Sequence, residues 1–129
     1  MKLLIDTHVL IWWQNDDARL SPGARAILSD TRQSVVISIA SFWEMSIKFR
    51  QGKLEAAGSV AYRKAVEERW SILSVKLDHL SALETLPERP DHKDPFDRLI
   101  LAQALSEGYP LMTGDQKMIG YGVSCIGAT

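Results

Sequence analysis

The chain has one cysteine, Cys125, so no disulfide can close within it, and a reducing, cytoplasmic setting is the expectation. No apolar run approaches the ~18 residues that a membrane span needs, and no membrane association is expected. The first residues lack the basic region, apolar core and small-residue cleavage site of a secretory leader. A net charge of only −1 argues against coating nucleic acid through bulk charge, while leaving room for a small acidic site with basic neighbours. The histidines and the cysteine have no zinc-like spacing, and no Ser-His-Asp or Cys-His nucleophile arrangement is evident. Repeats, low-complexity tracts and linkers long enough to divide domains are all missing.

What is there fits one globular domain over residues 1–129, with 46% hydrophobic and 24% charged residues. Lys2–Asp6 reads as a short apolar strand ending on an acid, and His8–Gln14 as a helix that is apolar on more than one side. Ser21-Pro22 starts a helix to about Leu28, with Ser as N-cap and Pro in the first turn. Ser34–Ser38 is a β-branched strand, and Ser38 or Ser41 opens a helix to Arg50, with Gly52 beyond its end. Ser41 and Glu44 have capping-box spacing. Further on come a helix over Ser59–Arg69, a strand over Trp70–Val75 and a short helix capped by Asp78 through about Leu86. The turn-rich loop Pro87–Pro95 precedes a helix over Phe96–Ser106. Leu111–Thr113 is a strand, Gln116–Ile119 a helical turn and Val123–Ile126 a last strand. Strands alternating with helices predict an α/β architecture, with a central, mostly parallel sheet and helices on both faces. Right-handed crossovers then gather the strand-to-helix turns on one edge.

Acids follow the strands to that edge. Asp6 ends the first, Glu44 lies in the helix after the second, Asp97 opens the helix after the Pro-rich loop, and Asp115 follows Leu111–Thr113. Each alone has an ordinary explanation as a helix cap or a first-turn acid. Four together repel unless a cation sits among them, and an all-oxygen set favours Mg²⁺ or Mn²⁺.

The segments LLIDTHVLIWW, SIASFWEMSIKFRQGKL and HKDPFDRLILAQALSEGYPLMTGD resemble PIN-domain ribonucleases, and among them the VapC toxins of bacterial toxin–antitoxin pairs. The resemblance runs from Met1 to about Ile126 and implies a single PIN-like α/β/α sandwich. It implies that Asp6, Glu44, Asp97 and Asp115 are both the metal ligands and the catalytic residues, with Mg²⁺ or alternatively Mn²⁺. Thr113 matches the small hydroxyl residue that precedes the last acid. The implied activity is endonucleolytic RNA cleavage by metal-activated water, leaving 5′-phosphate and 3′-hydroxyl ends. The implied partners are a cognate small antitoxin, an RNA substrate, a homodimer or toxin–antitoxin hetero-oligomer, and promoter DNA reached only through the antitoxin.

Around the acids, Lys48 lies one helical turn after Glu44 on the same face, where it can orient that acid or meet a phosphate. Arg98, with His92 and Lys93, is a candidate basic rim for an RNA backbone. Asp94 is either the cap of the following helix or an outer acid, and the cap is preferred. The four tryptophans read as core or partner-groove packing rather than base stacking, with the Trp12/Trp13 helix and the Ser21–Leu28 helix as the candidate groove. Two other functions stay open. One is a haloacid-dehalogenase-like phosphatase using Asp6 as nucleophile, although His8 stands where a second Asp belongs. The other is a non-catalytic regulator that binds a cation through the same acids.

Overall fold

The computed structural model describes residues 1–129. Five strands, β1 (Lys2–Ile5), β2 (Ser34–Ser38), β3 (Ser71–Leu73), β4 (Leu111–Thr113) and β5 (Cys125–Gly127), form one sheet in the order β3-β2-β1-β4-β5. Every pairing is parallel, so the sheet is wholly rather than mostly so. Six helices complete the chain: α1 (Thr7–Gln14), α2 (Pro22–Ser29), α3 (Ile39–Arg50), α4 (Gly58–Glu67), α5 (Leu77–Glu84) and α6 (Pro95–Glu107). None is long and apolar enough to cross a membrane.

Strand alternation divides the core into two layers. Leu3, Ile5, Val35 and Ile37 point to one face, where they meet Val9, Leu10, Phe42, Met45, Ala61 and Ala65. Leu4, Val36 and Leu111 point to the other, against Ile100, Leu101 and Ala104 of α6. An α/β/α sandwich results, with α1–α4 on one side and α5–α6 on the other.

The order of the strands places the site. The chain moves outward from β1 through β2 to β3, then returns to the far side of β1 to lay down β4 and β5. The direction of winding therefore reverses between β1 and β4, and a crevice opens beyond their carboxyl ends. Ile5 pairs with Met112, and the Asp6 amide donates to the Met112 carbonyl at 3.2 Å, which brings Asp6 alongside Thr113.

Several local expectations change. Ser38, not Ser41, caps α3, its hydroxyl accepting from the Ala40 amide at 3.1 Å, because the helix starts directly off the end of β2. Ser41 is buried one turn further in and accepts a hydrogen bond from Thr7 at 2.9 Å, so there is no Ser41–Glu44 capping box. Lys76 rather than Asp78 stands at the N-cap of α5, where His79 Nδ1 accepts from the Lys76 amide at 3.0 Å. The strand expected over Trp70–Val75 shrinks to Ser71–Leu73, since it lies at the sheet edge and pairs only with β2. Trp70 packs instead on Trp13, with ring centroids 5.2 Å apart.

Candidate metal centre at the strand-order reversal

Asp6 lies just past β1 and is 2% exposed. Its Oδ1 caps α1 by accepting from the Val9 amide at 2.9 Å, and its Oδ2 accepts from the Thr113 hydroxyl. Both oxygens are thus held by the protein. Burial pushes the Asp6 carboxyl above its usual range, against the pull of those two bonds, and the Asp115 charge pushes the same way. Thr113 also accepts from the Asp115 amide at 3.0 Å, so one hydroxyl ties the acid after β1 to the acid after β4. Asp115 Oδ1 accepts from the Lys117 amide at 2.9 Å and starts the 3₁₀ turn Gln116–Met118. Between Thr113 and Asp115, Gly114 lets Trp12 lie close, for a Cβ there would stand 2.9 Å from the indole ring.

Glu44 projects from α3 and is 3% exposed. One oxygen pairs with Lys48 Nζ at 2.9 Å, across one helical turn as the spacing predicts. The other, Oε1, is buried with no hydrogen-bond donor. An unpartnered buried carboxylate oxygen is costly, and a cation relieves it. Asp97 sits in the first turn of α6, with its Oδ2 3.2 Å from His92 Nε2. Its carboxyl is pushed up to about 6, first by burial and then by the charge of Asp94, against the His92 hydrogen bond; Asp6 and Glu44 add to the rise. Ligand atoms of His92, Asp97 and Asp115 all lie within 4.8 Å of one another. The charge of Asp115 reaches Asp6, and those of Asp6 and Glu44 reach Asp97, so the four acids face one region of the molecule, although it is Asp97 and Asp115, with His92, whose ligand atoms come within 4.8 Å of one another.

The neighbours differ from their sequence readings. Asp94 is the α6 N-cap, accepting from the Phe96 and Asp97 amides at 2.9 and 3.1 Å. Arg98 is not a rim residue. It is 8% exposed and spends its guanidinium on the carbonyls of Pro87 at 2.9 Å and Leu86 at 3.3 Å, strapping the Pro-rich loop to α6. His92 is also buried, at 3% exposure, which leaves Lys93 as the exposed member of the expected rim. Basic groups instead border an open cleft of about 490 Å³ that Asp6 and Asp115 line together with His8, Arg19 and Lys117. These three are scattered along the chain around the acids and have no local signal; His8 reads from sequence as a helix-start or packing residue rather than a ligand.

The tryptophans divide. Trp12 is buried and Trp13 is half-buried against Trp70. Trp43, next to Glu44, is 60% exposed and meets Phe96 edge-on at 5.0 Å. The apolar side chains left exposed around it, Ile39, Ile47, Tyr62 and Val66, lie on α3 and α4 rather than on the α1/α2 face expected from sequence.

Comparison with known proteins agrees with this architecture. A family model of the PIN domain matches residues 3–122. Ribonuclease VapC22 of Mycobacterium tuberculosis is 27% identical over 117 residues, covering 90% of this chain and 88% of that protein. The solved structure of VapBC2 from Rickettsia felis bound to a DNA fragment from its promoter superposes with a TM-score of 0.75 at 14% identity, covering 100% of both chains. A toxin–antitoxin complex from Klebsiella pneumoniae superposes with a TM-score of 0.68 at 20% identity, covering 96% of this chain and 95% of that one. At these identities the two structures are evidence for the fold alone.

Proposed function

The chain belongs to the PIN domain family, and from that premise we propose that it is a VapC-type toxin, a metal-dependent endoribonuclease held in check by an antitoxin. The observation that carries the reading is the approach of Asp97 and Asp115 ligand atoms to within 4.8 Å, with Asp6 and Glu44 near enough for their charges to act on Asp97 and with Glu44 Oε1 buried and lacking a donor. The donor set fits a hard divalent cation, Mg²⁺ or Mn²⁺. When bound, such an ion supplies Lewis acidity and neutralises the charge of a phosphodiester.

Every other part of the chemistry belongs to the chain's own residues. The four acids would hold the ion. Thr113 fixes the rotamer of Asp6 and the position of the Asp115 backbone. Lys48 holds one oxygen of Glu44, which leaves the other turned away from the ion pair. His8 and Lys117 border the cleft beside Asp6 and Asp115, where they would carry the phosphate backbone of an RNA strand, while Arg19 at the same border is paired with Asp17 at 2.7 Å. Asp6 is a poor nucleophile, because it is buried with both oxygens already accepting hydrogen bonds, and this speaks against an aspartyl-phosphate mechanism. The named relative is a ribonuclease and two of the similar structures are of toxin–antitoxin assemblies, which supports RNA as substrate and a small antitoxin as partner. A cytoplasmic site of action, a homodimeric or toxin–antitoxin state, and contact with promoter DNA through the antitoxin alone complete the proposal.

The test is RNA cleavage by the purified chain with Mg²⁺ or Mn²⁺, with and without a chelator, beside an Asp6→Asn variant of verified fold. Chelator-sensitive cleavage that Asp6→Asn abolishes is expected. Bound cation without turnover of any RNA would leave the non-catalytic regulator as the better reading.

A further inference from the structure

Two loops deliver acids to the site: residues 85–94 lead into Asp97, and the stretch after β4 carries Asp115 and runs on to Tyr121. A chain of contacts joins the two loops. His92 presents Nδ1 to the Tyr121 hydroxyl at 3.0 Å and Nε2 to Asp97 Oδ2 at 3.2 Å. An ionised carboxylate only accepts, so Nε2 carries a proton, and in the neutral ring Nδ1 then accepts from the Tyr121 hydroxyl. Tyr121 is itself 5% exposed, with the Arg89 guanidinium 4.1 Å from its ring centroid. Arg89 also donates to the carbonyls of Lys117 at 3.2 Å and Ile119 at 2.8 Å. The arrangement needs Gly120, whose φ is +95° and whose Cβ, if present, would collide with Arg89 Nη2. The first loop thus grips the second through Arg89, and the second grips the first through Tyr121 and His92.

We propose that Arg89, His92 and Tyr121 form a positioning clamp that holds the Asp97 carboxylate at the distance from Asp115 that a divalent cation requires, with His92 acting as a hydrogen-bond donor to Asp97 and not as a ligand. The inference rests on the cation-site reading above. The rival role for His92 is direct ligation, because its ligand atom lies within 4.8 Å of those of Asp97 and Asp115. Ligation needs a lone pair at a ring nitrogen that faces the acids. Here Nε2 spends its proton on Asp97, and the Nδ1 lone pair is turned away toward Tyr121. Outer partners of this kind orient ligating groups, and their loss weakens metal affinity by about 10–100-fold.

The test uses the full chain. Mn²⁺ affinity is measured calorimetrically for wild type, His92→Ala, His92→Gln and Tyr121→Phe, with thermal unfolding of each metal-free form. Electron spin-echo spectra of Mn²⁺-loaded wild type report whether a nitrogen is directly coordinated. His92→Ala should weaken Mn²⁺ binding by about 10–100-fold. Tyr121→Phe should weaken it several-fold, and His92→Gln, which keeps a donor at the Nε2 position, should recover most of the loss. The wild-type spectrum should show no directly coordinated nitrogen, and ¹⁵N spectra of the metal-free protein should show the Nε2–H tautomer of His92. If His92→Ala fails to fold, Tyr121→Phe and His92→Gln carry the comparison. A directly coordinated nitrogen, an Nδ1–H tautomer, or unchanged affinity in folded variants would overturn the clamp alone. Failure of wild type to bind Mn²⁺ would overturn the cation reading beneath it.

Discussion

Thr113 donates its hydroxyl proton to Asp6 across the seam between β1 and β4, while the same oxygen accepts the Asp115 amide at 3.0 Å. Two acids 109 residues apart in the chain are thereby tied through one side chain at the point where the strand order reverses. The arrangement gives the residue before the last acid a definite task.

Replacing Thr113 by Val keeps the shape and removes the hydroxyl. A buried Asp6 oxygen and the Asp115 amide then lose their partner, and the folded state should lose about 1–3 kcal/mol in urea unfolding. Thr113→Ser, which retains the oxygen, should stay close to wild type in both stability and RNA cleavage.

Glu44 offers a cleaner separation of charge from packing. Glu44→Gln removes the carboxylate while preserving volume, and leaves Lys48 without its ion pair. The metal-free protein should unfold within about 1 kcal/mol of wild type, since the lost pair offsets the relief of a buried charge. The rise in Tm that Mn²⁺ produces in wild type should be largely lost in the variant.

Asp97 sets a pH dependence. Its carboxyl titrates at about 6 in the folded protein against a usual value of 3.8, so between those values the folded state holds a proton that the unfolded chain has released. Its contribution to metal-free stability is therefore present at pH 4 and is lost as pH rises through 6. The raised Asp6 carboxyl acts in the same direction. A cation competes with these protons, so Mn²⁺ affinity should fall by about tenfold per pH unit below 6 for each proton displaced. Calorimetry at pH 5, 6 and 7.5 reads the slope directly; a flat profile would separate Asp97 from the cation.

The basic border of the cleft gives an ionic-strength signature. His8, Arg19 and Lys117 flank Asp6 and Asp115. Lys117→Ala should weaken RNA binding uniformly across sequences and lower the salt slope by about 1 unit, without changing Mn²⁺ affinity. Lys93→Ala provides the comparison from the rim expected by sequence, and a larger effect there would restore that assignment.

Features that depend on neighbours in the chain were readable in advance. Ser21 and Pro22 start α2, Val35–Ile37 form a buried strand, Asp6 stands directly after β1 and Asp115 follows β4 after the single residue Gly114, all of which the local pattern announces. Glu44 stands in the helix after the second strand as the pattern predicts, but its surroundings are not uniformly apolar. Of the apolar residues around it, Phe42 and Met45 are buried, but Trp43 and Ile47 face solvent. His92 and Arg98 were misplaced because their roles depend on partners that no periodicity reveals: Tyr121, 29 residues on, for His92, and the carbonyls of Leu86 and Pro87 for Arg98. A charged residue in a polar loop looks solvated until the path of the loop is known. The border of His8, Arg19 and Lys117 was hidden for the same reason, since the strand-order reversal assembles it from three separate segments.

The most direct test is crystallographic. Crystals of the protein soaked in Mn²⁺ should give an anomalous difference peak bounded by carboxylate oxygens of Asp6, Glu44, Asp97 and Asp115. A Mn²⁺ peak elsewhere with none among these four acids, at a concentration that supports RNA cleavage in solution, would contradict the account.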